Sequence, residues 1–222
     1  MPSKLEKFSE ITTLSNYYEF VFPNLELGFL NKGKWHETVF KNNNPIVLEL
    51  GCGKGEYSVG LAEKNVNKNF IGVDIKGNRI WTGATQAIEK KLSNVAFLRT
   101  QIDFIERCFS AGEVSEIWIT FPDPQPQKSR AKHRLTHAQF LNKYKTILKA
   151  DGLMHLKTDS TLLYEFTLEM IKEEQHKLLW ETNNLYNNCP ADRQELIAIK
   201  THYEKLFTDK GEDIKYCCFQ LV

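Results

Sequence analysis

"VLELGCGKGEYSVGLA", residues 47–62, sets three glycines, Gly51, Gly53 and Gly55, between an apolar run and a stretch with helical spacing. The pattern predicts a buried strand, a tight turn and the start of a helix. Glycine in such a turn lets backbone approach a ligand closely, and the following helix presents free N–H groups to an anion. A tight structural turn would use the same glycines, so the flanking carboxylates carry the distinction. Glu49 interrupts an otherwise apolar strand, where a carboxylate is costly unless a cation or hydrogen-bond donors meet it; that argues for a ligand. Asp74 closes the next apolar run, "FIGVD" at 70–74, where a carboxylate accepts both hydroxyls of a ribose or else caps the next helix.

The same alternation recurs along the chain. Apolar runs stand at 46–50 ("IVLEL"), 70–74, 95–98 ("VAFL"), 116–120 ("EIWIT") and 153–157 ("LMHLK"). Helical spacing lies between and after them, at 56–65, 77–92, 102–109, 136–149 and 160–176; Phe140, Leu141, Tyr144, Ile147 and Leu148 form one such stripe. This order predicts an α/β fold with a mostly parallel central sheet and helices on both faces. Two strand-like runs, "KLLWETNNLY" and "IKYCCFQLV", flank a short helix in "THYEKLF" and predict closure by an antiparallel C-terminal strand. The first 40 residues hold aromatic residues (Tyr17, Tyr18, Phe20, Phe22) without periodicity. They are assigned to a partly ordered N-terminal extension, residues 1–40, before a single domain at 41–222.

At 222 residues, 41% of them hydrophobic and 26% charged, the chain suits one globular domain, and no apolar run is long enough to span a bilayer. The start, "MPSKLEKFSE", lacks the apolar core of a secretory signal, so a cytosolic protein is expected. Five scattered cysteines without C-x-x-C spacing read as reduced thiols, and no metal site is expected. Cys217 and Cys218 would point to opposite faces of one strand. The net charge of +1 hides an uneven distribution: residues 124–150 hold seven of the 29 Lys and Arg and none of the 28 Asp and Glu. A local field of this kind favours a polyanion at one place on the surface.

The glycine spacing, E-x-G-x-G-x-G, is not the dinucleotide fingerprint G-x-G-x-x-G, which would need glycine at Glu56. It is not a phosphate-binding loop either, because Gly55 rather than Ser or Thr follows Lys54. The pattern resembles the S-adenosylmethionine site of Rossmann-like class I methyltransferases, which implies that cofactor, with the turn at its methionine part and the acidic strand end at its ribose. The loop after a central strand opens on the same crevice. In "ITFPDPQPQKSRAKHRLT", residues 119–136, that loop carries Asp123 between Pro122 and Pro124, which restrict the backbone on both sides. The run of bases that follows reads as a phosphate contact or as a solvated charged face, and its adjacency to Asp123 favours the first.

"FPDPQPQKSRAKHRLT", together with "LKTD" at 156–159, "THYEKLF" and "GEDIKY", resembles the bacterial tRNA (guanine-N7-)-methyltransferases, within the resemblance to Rossmann-like methyltransferases that spans roughly residues 46–222. The resemblance implies methyl transfer from S-adenosylmethionine to N7 of a guanosine in the tRNA variable loop. It makes Asp123 the catalytic residue, also near the cofactor, and puts Glu49, Gly51, Gly53, Gly55 and Asp74 at S-adenosylmethionine. Asp159, Thr201, His202, Tyr203 and Glu204 fall at the guanosine, and Ser129, Arg130, Ala131, Lys132, His133 and Arg134 at tRNA. Where the family usually has D-P-W-P-K, this chain has Gln125 and Gln127, with Lys128 one residue further on; Gln127 and Lys128 are therefore expected at the substrate. Gln101 aligns with a usual acidic residue at the adenine, and its amide oxygen can accept from the adenine amino group.

Guanine N7 carries a lone pair and no proton at neutral pH, so no base is needed. Asp123 is then expected to orient the ring and stabilise its developing positive charge. His133 and His137 lack a cluster of further ligands, so neither is assigned a metal or acid–base role. Tyr203 stacks on a base or packs in the core. The alternatives are a methyltransferase of another RNA or a small molecule, a non-catalytic RNA-binding protein on this scaffold, and a nicotinamide oxidoreductase, which the glycine spacing disfavours. No membrane or obligate protein partner is expected, and monomer and homodimer both stay open.

Overall fold

A computed structural model of the chain describes residues 2–22 and 28–222, with the backbone but not the side chain of His202. Among the described residues eight strands form one sheet: β1 (Tyr17–Phe20), β2 (Ile46–Leu50), β3 (Asn69–Asp74), β4 (Val95–Thr100), β5 (Val114–Thr120), β6 (Leu148–Thr158), β7 (Lys177–Thr182) and β8 (Lys215–Gln220). Their order is β1-β4-β3-β2-β5-β6-β8-β7. All neighbours are parallel except β8, which runs antiparallel to both β6 and β7. The chain builds outward from β2 through β3 and β4, then crosses back to β5 and β6. The strand order therefore reverses between β2 and β5, and their C-terminal ends frame the crevice where such sheets bind ligands.

The helices are α1 (Lys4–Ile11), α2 (Glu56–Lys64), α3 (Gly77–Glu89), α4 (Ile105–Cys108), α5 (Ala138–Ile147), α6 (Thr161–Glu173), α7 (Leu185–Asn188), α8 (Glu195–Ala198) and α9 (His202–Thr208). Period-2 alternation divides the core between the two faces of the sheet. Leu48, Leu50, Ile117, Ile119 and Phe219 pack on one face with α5 and α6; Val47, Trp118 and Tyr216 pack on the other with α2 and α3. Cys217 falls in the first cluster and Cys218 in the second, as adjacent strand residues must. The same alternation puts Glu49 and Thr120 on the α2 face, next to each other at the ends of β2 and β5.

The described residues before residue 41 pack onto this architecture. Tyr17, Tyr18 and Phe20 form the edge strand β1 beside β4, and α1 lies against α3, with Trp81 Nε1 donating to Glu10 Oε2 at 3.0 Å. Trp35 is fully buried, stacks on Phe109 at 5.4 Å and donates through Nε1 to the carbonyl of Cys108. A four-residue strand is too short to show a period, which is why its aromatics carry no pattern in the sequence.

Candidate active site

The turn after β2 takes positive φ at Gly51, Gly53 and Gly55. At Gly55 glycine is obligatory for space as well, since a Cβ there would lie 2.5 Å from the ring of Phe97. At Gly53 a Cβ would meet nothing within 4 Å, so bare backbone faces the open cleft. Glu49 is buried, and its carboxylate is met by the protein: Oε2 accepts from Ser58 N at 2.9 Å and Ser58 Oγ at 2.5 Å, and Oε1 from Thr120 Oγ1 at 2.7 Å. Ser58 lies in the first turn of α2, so the helix start that could serve a ligand anion serves Glu49 as well. Burial still outweighs these donors and pushes the Glu49 pKa up to about 7. Asp74, at the end of β3, accepts from Gly53 N at 2.9 Å and Lys76 N at 2.8 Å, which fixes its carboxylate beside the turn.

Across the crevice, the loop after β5 holds Asp123 between two non-glycine residues in the left-handed region, Phe121 (φ 47°) and Gln125 (φ 45°). Such backbone persists only where surrounding contacts over-determine it, and it concentrates at functional sites. The contacts are visible. Asp123 Oδ1 accepts from Gln125 N at 3.0 Å, and Phe121 N donates to the carbonyl of Lys157 at 2.8 Å. Arg134 reaches back to donate to the carbonyls of Pro124 (3.1 Å) and Gln125 (3.1 and 3.3 Å) while its guanidinium lies over the ring of Phe166. Arg134 is 6% exposed. The structure thus places it against the Asp123 loop rather than on the exposed surface where the charge run put it, because Nε and Nη2 donate to backbone carbonyls of that loop.

The two halves face each other over a cleft of ≈ 820 Å³. Of the residues expected at the site, Glu49, Gly51, Gly53 and Asp123 line it, and so do His133, Asp159, Thr201 and Tyr203. Burial raises the Asp159 pKa above its usual value. Gly55 and Asp74 stand behind the lining, packed against Phe97 and hydrogen-bonded to Gly53. Lys128, Ser129, Arg130 and Lys132 are exposed on a 3-10 turn, Lys128–His133, with Ala131 half-buried among them and Gln127 exposed just before it. Gln101 is exposed at the end of β4 and is not among the lining residues.

Glu204 does not reach the cleft: it is fully buried and ion-paired with Lys157 at 2.6 Å. The side chain of His202 lies outside the described residues. Lys54, Lys76 and Arg79 also line the cleft, three cations that the sequence reading did not single out. Their position after the C-terminal ends of β2 and β3 was the signal for them. Among the described residues no cluster of three or more His, Cys, Asp or Glu side chains could hold a metal ion, and no helix is long and apolar enough to cross a membrane.

These residues fit S-adenosylmethionine. Bare glycine backbone offers room for the methionine part, Asp74 stands at the strand end where a ribose is held, and a carboxylate faces them from the neighbouring strand end. A sheet of this order with its site at the β2/β5 switch defines a class I S-adenosylmethionine-dependent methyltransferase. Solved structures bear out the fold: the 16S rRNA methyltransferase KamB superposes with a TM-score of 0.62 at 14% identity, covering 83% of this chain and 91% of that one. The 16S rRNA (adenine(1408)-N(1))-methyltransferase from Catenulisporales acidiphilia gives 0.61 at 13% identity, over 86% and 93%.

A family model described as "Putative methyltransferase" matches residues 43–217. The tRNA (guanine-N(7)-)-methyltransferase of Christiangramia forsetii is 54% identical over 190 residues, 86% of this chain and 84% of its own length. The enzyme of the same name from Bacteroides thetaiotaomicron is 48% identical over 220 residues, 99% and 86%. The chain belongs to the tRNA (guanine-N(7)-)-methyltransferase family.

Proposed function

We propose that this chain transfers the methyl group of S-adenosylmethionine to N7 of a guanosine in the variable loop of tRNA, in the cytosol. The observation that carries the reading is Asp123: a carboxylate on a loop held by strained backbone and by Arg134, sharing one cleft with the glycine turn, with an exposed basic stretch directly after it in the chain. When bound, S-adenosylmethionine supplies an electrophilic methyl group on a sulfonium centre. The protein has no proton to remove, since N7 presents a lone pair. Asp123 accepts hydrogen bonds from the guanine N–H groups and stabilises the positive charge that grows on the ring. Because its loop is already fixed, little reorganisation is needed as the reaction proceeds.

Asp159 gives a second acceptor, and Tyr203, 45% exposed at the cleft, offers a face for stacking. Lys128, Ser129, Arg130, Lys132 and His133 contact phosphates and set the register of the RNA, while Gln127 lies at the junction between ridge and site. Gln101 takes the adenine end of the cofactor. The experiment is incubation with labelled S-adenosylmethionine and unmodified tRNA, followed by digestion to nucleosides. Label in 7-methylguanosine is expected; label in an N-methylated exocyclic amine, or none, would reject the reading.

A further inference from the structure

Beneath the cleft, Lys157 on β6 and Glu204 on α9 form an ion pair wholly excluded from solvent, with Nζ 2.6 Å from Oε1. Nζ also donates to the carbonyl of Leu196 at 2.6 Å and lies over the ring of Tyr57. Glu204 Oε1 accepts from Tyr186 Oη at 2.7 Å. One ammonium and one carboxylate therefore join β6, α2, α7, α8 and α9. The crossing from β7 to β8 is built from α-helices of four, four and seven residues and a three-residue 3-10 turn, all too short to hold themselves in place. This segment presents Thr201 and Tyr203 to the cleft, and Lys157 precedes by two residues Asp159, which lines the same cleft. Thr201 also caps α9 by accepting from Glu204 N at 3.2 Å.

A buried pair of this kind seldom adds stability over an apolar pair of similar size. Glu204 Oε2 is buried without a hydrogen-bond partner among the described residues, so the desolvated charge is incompletely compensated. A net cost in stability is understandable if the pair fixes a geometry that apolar packing of such short helices would leave loose.

We propose that the Lys157–Glu204 pair is a positioning clamp: it seats α9 so that Thr201 and Tyr203 stand opposite Asp159, and Glu204 acts through Lys157 rather than on the guanosine. The proposal rests on the reading of the cleft as a guanosine site. Both residues are positioning residues, and neither touches substrate.

The test compares the wild type with Glu204→Gln, Lys157→Met and the double variant. It measures S-adenosylmethionine affinity by calorimetry and kcat and KM with tRNA. Each single substitution strands one buried charge and is expected to raise the tRNA KM by about tenfold or more, with cofactor affinity changed by less than about threefold. The double variant strands no charge and keeps an acceptor for Tyr186 but lacks the ion pair, so its tRNA KM is expected to stay raised by about tenfold, no further than in either single variant. A double variant whose KM returns to within about threefold of the wild type would show that neutral packing seats α9 equally well and would overturn the clamp. So would Lys157→Met with an unchanged KM, which would leave Glu204 acting on the substrate by itself. If a single variant does not fold, the double variant decides alone, by a KM raised about tenfold or one near the wild type. The wild-type arm tests the function and the comparison among variants tests the clamp, so the two fail separately.

Discussion

Glu49 is a carboxyl group held at a cost, and replacing it with glutamine should stabilise the free protein in a pH-dependent way. Burial raises its pKa from 4.5 to about 7 in the fold. Below pH 4.5 the group is protonated in both the folded and unfolded states and carries no penalty. As pH rises to 7 the unfolded chain releases the proton first, and stability falls by about 3 kcal/mol across that window. His155 works the other way: burial lowers its pKa to about 4, so stability is lost as pH falls from 6.5. The two windows overlap, so only the difference between variant and wild type isolates Glu49. In Glu49→Gln the amide oxygen can still accept from Ser58, and the amide nitrogen can donate to Thr120 Oγ1.

The variant should therefore be about 3 kcal/mol more stable than wild type at pH 8, or about 6 to 12 °C in Tm for a chain of this size, with little difference at pH 4.5. Urea unfolding of both proteins without cofactor, at the two pH values, measures this. A difference of the same size at both pH values, or a variant less stable at pH 8, would refute the assignment of the cost to an ionising carboxyl. The same substitution should weaken S-adenosylmethionine binding by about tenfold, the loss of one charge-assisted hydrogen bond.

Asp123→Ala should lower kcat by about a hundredfold or more while leaving S-adenosylmethionine affinity within about threefold of wild type; calorimetry and steady-state rates measure both, and equal losses would count against a role in the reaction. Replacing Lys128, Arg130 and Lys132 together by Ala should weaken tRNA binding and reduce the slope of log affinity against log salt by about 2. An unchanged slope would place that ridge away from the RNA. Arg134→Ala removes the donors that hold the Asp123 loop, so turnover should fall by about tenfold or more while the salt slope keeps its wild-type value. A slope reduced in step with the ridge variant would return Arg134 to the RNA surface.

What the sequence disclosed followed the physics of each signal. The β2 strand, its turn and α2 were legible because glycines and a lone carboxylate break an apolar pattern where a parallel sheet meets its ligand. Asp123 was legible because two prolines flank it at the next strand end. The partners of Glu49 were not, since Thr120 is 71 residues away and becomes its neighbour only through the β2–β5 register. A run of bases gives charge but not direction: nothing in "KSRAKHR" separates Lys132, which is exposed, from Arg134, which turns inward onto carbonyls. Glu204 shows the same limit at helical spacing, because Tyr203 beside it faces the cleft while Glu204 faces the core.

The most direct test of the central claim replaces the attacking atom. In tRNA transcribed with 7-deazaguanosine, N7 becomes a C–H group and the lone pair is gone, while the N–H groups offered to Asp123 and the phosphates offered to the basic ridge are unchanged. With labelled S-adenosylmethionine, the account predicts that this tRNA binds with an affinity close to that of the ordinary transcript and takes up no methyl group. Methyl incorporation into the 7-deazaguanosine transcript would contradict it.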